Sequence, residues 1–235
     1  MKARTLITGM ALTGALLVTA SVAKANTYDP ALQFSASSNL NGVWSYGWEQ
    51  TLGSGFTLDT YQGVSGDTSY WSSGLTGGQP PGVYHNSEGV PVPFSTLVWP
   101  PNTGLLMHPG SLGESSVVRF TAPSSGEYII SQDFTIQDTL PQNPKNVNVL
   151  ENNSPIYNAI LNPAYPSGTG FNTETVNLSA GATIDFVVGT DGFPYSNDST
   201  GLYASITSVP DGGMTFGLLG GAMLGLQAIR RKLFC

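Results

Sequence analysis

The sequence predicts an all-β protein, an antiparallel β-sandwich of jelly-roll type, and three observations carry that expectation. Between residues 26 and 209 no run keeps a 3.6-residue apolar period. Short apolar stretches recur instead, several of them alternating with polar residues. They are separated by turn formers, drawn from 29 Gly, 16 Pro and abundant Ser, Thr and Asn.

The elements follow in order. Residues 41–48 (Asn-Gly-Val-Trp-Ser-Tyr-Gly-Trp) concentrate three aromatics in one strand. Residues 51–61 read as a second strand with Phe56 and Leu58 on one face. Residues 62–93 read as a long loop, interrupted by Gly63, Gly66, Gly74, Gly77-Gly78 and Pro80-Pro81-Gly82. A loop of that length is usually functional or mobile. Short strands are expected at 94–99 and 105–107, around Pro100-Pro101.

The second half is more regular. Residues 116–121 put Val118 and Phe120 on one face. Residues 127–134 turn Tyr128, Ile130 and Phe134 inward, and 146–150 set Val147 and Val149 opposite Asn146 and Asn148. A strand at 173–178 follows. Residues 182–188 then give Ile184, Phe186 and Val188 a core face with Asp185 opposite. Residues 201–207 close the domain with Leu202, Ala204 and Ile206 inward. Short strands at this spacing suit a sandwich.

Both chain ends read as targeting segments. Lys2 and Arg4 precede a mostly apolar run to Val22, and Ala23-Lys24-Ala25 supplies a small-x-small site. That is a secretory signal peptide cleaved after Ala25, with Ala23 and Ala25 as the recognition pair; the alternative is an uncleaved anchor. At the other end stand Val209, Pro210, Asp211, Gly212, Gly213, Met214 and Thr215, then an apolar run, then Arg230-Arg231-Lys232. The run 214–229 is at the short limit for a transmembrane helix. The basic end keeps that terminus cytoplasmic, so the bulk of the chain lies outside. The bland reading is a single-pass membrane anchor. The ordered set of motif, apolar run and basic end resembles the PEP-CTERM class of bacterial sorting signals. The motif is similar to the variant built on Val-Pro-Asp-Ser-Gly-Ser-Thr, departing from it at Gly212 and Met214. The resemblance implies recognition by an exosortase-type membrane peptidase near Pro210, with the protein attached to the cell surface or released into the extracellular matrix. Three regions are thus expected: 1–25, 26–209 and 210–235.

Charge narrows the function. Outside the targeting segments the only basic residues are Arg119 and Lys145, so the exported part is more acidic than the whole-chain −7. Such a surface repels nucleic-acid phosphates, which argues against nucleic acid as a partner. It is compatible with neutral sugars or divalent cations. The single cysteine, Cys235, lies in the tail, so no disulfide holds residues 26–209.

A second resemblance spans most of 26–209. Asn41-Gly42-Val43-Trp44, His108-Pro109-Gly110, Val118-Arg119-Phe120-Thr121-Ala122-Pro123, Gly126-Glu127-Tyr128, 181–189 and Asp198-Ser199-Thr200-Gly201-Leu202 form an ordered set. It is similar to secreted bacterial domains that carry such tails and to jelly-roll carbohydrate-binding modules. Carbohydrate binding is what this resemblance implies.

Flat aromatic faces are how proteins grip sugar rings. Trp44, Tyr46, Trp48, Tyr70, Trp71 and Tyr84, with Trp99 beyond, supply them in the front half. Trp44 and Trp48 serve equally well as core residues of a front strand. Tyr70, Trp71 and Tyr84 sit among polar and Gly residues and are expected to be exposed. For a metal, Asp133, Asp138, Asp191 and Asp198 are calcium candidates on oxygen-rich loops; the alternative is that they cap turns. No cofactor other than calcium is suggested. Catalysis finds no motif: there is no zinc pair and no Gly-x-Ser-x-Gly elbow, and only His85 and His108 are present. Glu49, Asp59, Glu88 and Glu114 would have to pair within reach of one another to make a glycosidase. The expectation is therefore a non-enzymatic exported surface protein that binds polysaccharide through loop aromatics. A structural envelope protein without a small ligand is the rival, and a glycoside-active enzyme the minor one.

Overall fold

The computed structural model describes residues 24–210, apart from 141–143, 162–163, 191 and 193–194. The expected signal peptide up to Ala23, the calcium candidate Asp191 and the tail from Asp211, with Gly212, Gly213 and the run 214–229, lie outside the described residues. Among the described residues every regular element is a strand, and no helix is long and apolar enough to cross a membrane. Ala25–Val209 is one compact unit.

The strands are β1 (Thr27–Tyr28), β2 (Trp44–Glu49), β3 (Thr57–Leu58), β4 (Tyr61–Ser65), β5 (Thr68–Ser72), β6 (Gly82–Asn86), β7 (Val92–Phe94) and β8 (Leu97–Trp99), followed by β9 (Leu105–His108), β10 (Ser115–Thr121), β11 (Gly126–Ile136), β12 (Lys145–Glu151), β13 (Ser154–Leu161), β14 (Asn172–Leu178), β15 (Thr183–Gly189) and β16 (Thr200–Ser208). They form two main antiparallel sheets. The larger runs β14-β11-β16-β9-β6-β5-β4, with β1 also on β16; the smaller runs β13-β12-β15-β10-β2-β3. β7 and β8 make a separate hairpin.

Strands β9 to β16 form the frame. Their order is 14-11-16-9 in one sheet and 13-12-15-10 in the other. That is the strand order of two interlocked Greek keys, the jelly roll. The alternation that marks these strands in sequence is the alternation that buries them. Val118, Phe120, Tyr128, Ile130, Phe134, Val147, Val149, Ile184, Phe186, Val188, Leu202 and Ile206 all join one core between the sheets. Ala204 joins it too.

The front half departs from expectation in three places, one being residues 94–99, which turn at Ser95-Thr96 between β7 and β8 instead of forming one strand. Residues 51–61 are not one strand. Only Thr57 and Leu58 pair with β2. Phe56 leaves the strand to cover Val117, Leu150 and Val187, an apolar patch on the outward face of the smaller sheet. Burying that patch outweighs extending a ladder. The Phe56 ring also lies 4.3 Å beneath the Arg119 guanidinium, which grips Asp185 through Nε and Nη2 at 2.6 Å each. Residues 62–93, expected as loop, contain β4, β5, β6 and most of β7. They lengthen the larger sheet by three strands. Gly66, at φ +60, is the first of two turn residues between Ser65 and Thr68, which suits a tight hairpin. Ser, Thr and Gly on the solvent face hid the period of two.

Candidate functional site

Strands β5 and β6 present one face to the core and the other outward, whereas β4, at the end of the sheet, is exposed on both faces. Val83 and Trp71 take the inner side. Tyr70 and Tyr84 take the outer side and face each other across the β5–β6 ladder. Gly63, paired with Tyr70 on the β4 side, is what lets that ring lie flat: a Cβ there would run into the Tyr70 ring.

Five rings stand in contact along this face. Tyr61 and Tyr70 are 6.2 Å apart at their centroids, Tyr70 and Tyr84 5.2 Å, Tyr84 and Trp99 5.5 Å, and Trp99 and Phe94 6.3 Å. The three tyrosines are inclined by only 37° and 32° to one another and form a floor. Trp99 and Phe94 meet their neighbours edge-on, at 63° and 64°. They come from the β7–β8 hairpin. Asn86 holds the base of that hairpin, donating from Nδ2 to the carbonyls of Val90 and Pro100. On its other side, the Val98 amide donates to Gln137 and the Thr139 amide to Thr96.

Floor and wall enclose a cavity of about 480 Å³. Ser65, Thr68, Ser72 and Gln79 supply polar groups, and among the described residues no Asp, Glu, Lys, Arg or His lines it. Tyr61 is 55 % exposed and Phe94 65 %. Burial, then Tyr70 and Asp59, push the Tyr84 phenol up to about 12, and burial raises Tyr70 as well. Both phenols, neutral at physiological pH as tyrosines ordinarily are, can donate hydrogen bonds. In register the Tyr84 level meets Leu106 and then Gly201 of β16. The chain leaves the domain at Val209, eight residues further along, or about 25 Å at ~3.3 Å per residue.

The sequence candidates separate cleanly on this geometry. Tyr70 and Tyr84 belong to the row. Trp44 and Tyr46 do not: they are 1 % and 0 % exposed, packed against Phe120 and Phe34 respectively. Trp71, expected on an exposed loop, is a correction of the same kind. At 7 % exposure it faces the core, and its indole N–H donates to the Ser35 carbonyl at 2.8 Å. In a strand the residue beside an outward Tyr70 must point inward. Trp48 is half-buried at the end of β2, away from the row. Tyr61 and Phe94 were missed: Tyr61 stood at the end of an expected strand beside polar Thr60 and Gln62, and Phe94 lay between Pro93 and Ser95, so neither gave a period to read.

The acidic candidates are distributed differently from a calcium cage. Asp198 pairs with Lys145 at 3.5 Å, both fully buried, and the Ser199 amide donates to Asp138 Oδ2 at 2.7 Å. Burial pushes Asp198 up to about 6 against the pull of Lys145, and burial lowers Lys145 against the two aspartates. Asp133 lies further back along β11, opposite Tyr203, accepting from the Thr169 hydroxyl. Among the described residues no three His, Cys, Asp or Glu side chains gather as a metal site.

The carboxylates named for a glycosidase pair stand outside the groove. Glu49 accepts from the Gly53 amide at 2.9 Å, and burial pushes it up to about 7. Asp59 is 1 % exposed and burial pushes it up to about 8. Glu114 accepts from the Leu112 amide, and Glu88 is exposed.

Comparison with known proteins gives two findings. Residues 208–233 match the model of the VPDSG-CTERM motif, a sorting signal, so the chain carries that signal at its C-terminus. No characterised protein matches the sequence. Among solved structures, similar folds include carbohydrate-binding modules. One is a family 51 module in complex with GlcNAc from Clostridium perfringens ZmpB, at 13% identity and TM-score 0.34, covering 47% of this chain and 22% of that one. A family 35 module from Cellvibrio japonicus Abf62 gives 14% and 0.30 over 60% and 93%. The beta-glucosidase of Kluyveromyces marxianus, an enzyme, gives 13% and 0.26 over 46% and 11%. This chain thus aligns with less than a quarter of the first and about a tenth of the third. At these values the likeness carries no argument about fold, ligand or residues.

Proposed function

We propose that this is an exported, non-catalytic protein that is delivered to the cell surface by its tail and holds polysaccharide in the aromatic groove. One observation carries the reading: five contacting rings, three of them a floor, line an outward cavity furnished with hydroxyl and amide groups and without a carboxylate. Sugar rings offer a flat C–H face to an aromatic ring and hydroxyls to the polar rim, so this is the chemistry such a lining recognises. The common glycoside hydrolases need a carboxyl pair astride the bond, and among the described residues the groove lining contains none. Calcium is not needed for this reading, because the stacking groups are neutral.

In this proposal the signal peptide is removed after Ala25 and an exosortase-type peptidase acts near Pro210, with the basic end held at the inner membrane beforehand. The exit of the chain at Val209 lies at the end of β16 remote from the groove, which suits a tethered protein reaching outward. The test of binding is a glycan array probed with the purified protein and with its Tyr84→Ala variant. Saturable binding that the variant loses supports the groove. A blank array from folded protein would favour a structural envelope role. Intact mass tests the processing: a surface form still containing Cys235 would refute cleavage.

A further inference from the structure

We infer that the groove is built for an uncharged glycan chain, laid across β4, β5 and β6 with one sugar unit on each of Tyr61, Tyr70 and Tyr84. The inference rests on the polysaccharide reading and adds the class and register of the ligand.

The charge follows from what the lining and the rest of the domain lack. Uronate or sulfated polymers are held best by a cation at the site, and among the described residues no Lys, Arg or His lines this cavity. Residues 26–209 contain only two basic side chains, Arg119 and Lys145. Both are committed elsewhere: Arg119 is forked onto Asp185, and Lys145 is fully buried against Asp198. The whole-chain charge is −7, so the remaining field repels a polyanion before it reaches the groove. Tyrosine phenols ordinarily ionise only near pH 10, and burial raises Tyr70 and Tyr84 further, so the floor stays neutral and donates hydrogen bonds.

The register follows from the rings. Tyr61, Tyr70 and Tyr84 come from three neighbouring strands, so their spacing is set by the ladder rather than by loop conformation. Their steps of 6.2 and 5.2 Å are close to the length of one hexose in an extended chain. β4 is the free edge of the sheet, so a chain can run off the floor beyond Tyr61. Trp99 and Phe94 stand edge-on beyond Tyr84 and close the groove at that end, so they limit how far the chain extends there.

The experiment is affinity gel electrophoresis of the whole exported protein through neutral polymers (xylan, galactan, amylose) and anionic ones (alginate, polygalacturonate). A series of mono- to hexasaccharides of the retarding polymer then follows by calorimetry. The expected result is retardation by a neutral polymer alone, with affinity climbing to the trisaccharide and then levelling. Tyr61→Ala and Tyr70→Ala should each weaken it about tenfold, while Tyr70→Phe keeps stacking and loses less. Tyr61→Ala changes an exposed ring, so its melting temperature should equal that of the parent. Retardation by alginate or polygalacturonate instead would overturn the neutral class while leaving a sugar site. A monosaccharide bound as tightly as the trisaccharide would overturn the three-unit register. Retardation by no polymer of either set, from folded protein, would overturn the polysaccharide reading as well.

Discussion

Tyr70 and Trp71 are neighbours in one strand, yet they belong to different halves of the molecule's chemistry. Trp71 is part of the core and is tied to the Ser35 carbonyl. Tyr70 lies outside, over Gly63 and beside Tyr84. The same contrast separates the jelly-roll strands β9–β16 from the added strands β4–β8. In the first set most apolar residues face inward, apart from the outward patch of Val117, Leu150 and Val187 under Phe56. In the second the largest rings are divided between the two faces. Aromatics on an outward face contribute nothing to a core, so their presence there points to a surface that meets something else.

That contrast can be broken most severely at Trp71. Trp71→Ala opens a cavity and strands the Ser35 carbonyl, so a loss of about 3–5 kcal/mol of stability is expected. Chemical denaturation reads it directly, and an unchanged midpoint would show that Trp71 is no core residue. Breaking the buried pair of the frame has a similar scale. Arg119→Ala leaves Asp185 buried without its partner, which should cost about 3–5 kcal/mol. Arg119→Ala together with Asp185→Ala should recover part of that loss; no recovery would mean that the pair is not coupled.

A smaller, pH-dependent effect comes from the buried acids. Asp59 rises from 3.8 to about 8, Glu49 from 4.5 to about 7, and Asp198 from 3.8 to about 6, each by burial first. The folded state therefore keeps protons that the unfolded chain has released. Their favourable contribution is complete below about pH 3.8 and is lost as pH rises through 8. Melting temperature should fall between pH 5 and pH 8, and Asp59→Asn should flatten that fall. A rise over the same interval would contradict the assignment. The smallest change is expected at the outer ring: Tyr61→Ala should shift stability by no more than about 0.5 kcal/mol, while binding suffers. A Tyr61 variant that unfolds would return this ring to the core.

Much of the frame was legible because it is local. Val118 and Phe120, or Ile184, Phe186 and Val188, repeat with the period of a strand, and that period alone selects the inner face. The C-terminal motif was legible for the same reason, being a contiguous string. The front half was obscured because its strands carry Ser, Thr and Gly where the frame carries Val and Ile. Phe56 misled because its partners, Val117, Leu150 and Val187, come from three other strands.

By itself, then, the sequence determined the all-β class, the inward residues of the second half and the address at the C-terminus, all properties of short segments. Only the tertiary structure decided which aromatics are core and which are surface. That choice depends on the sheet to which a strand is joined and on what covers each of its faces. It brought Tyr61, Tyr70, Tyr84, Trp99 and Phe94 from five strands into one row. It also set Lys145 against Asp198, far along the chain, because burial of either charge alone would be too costly.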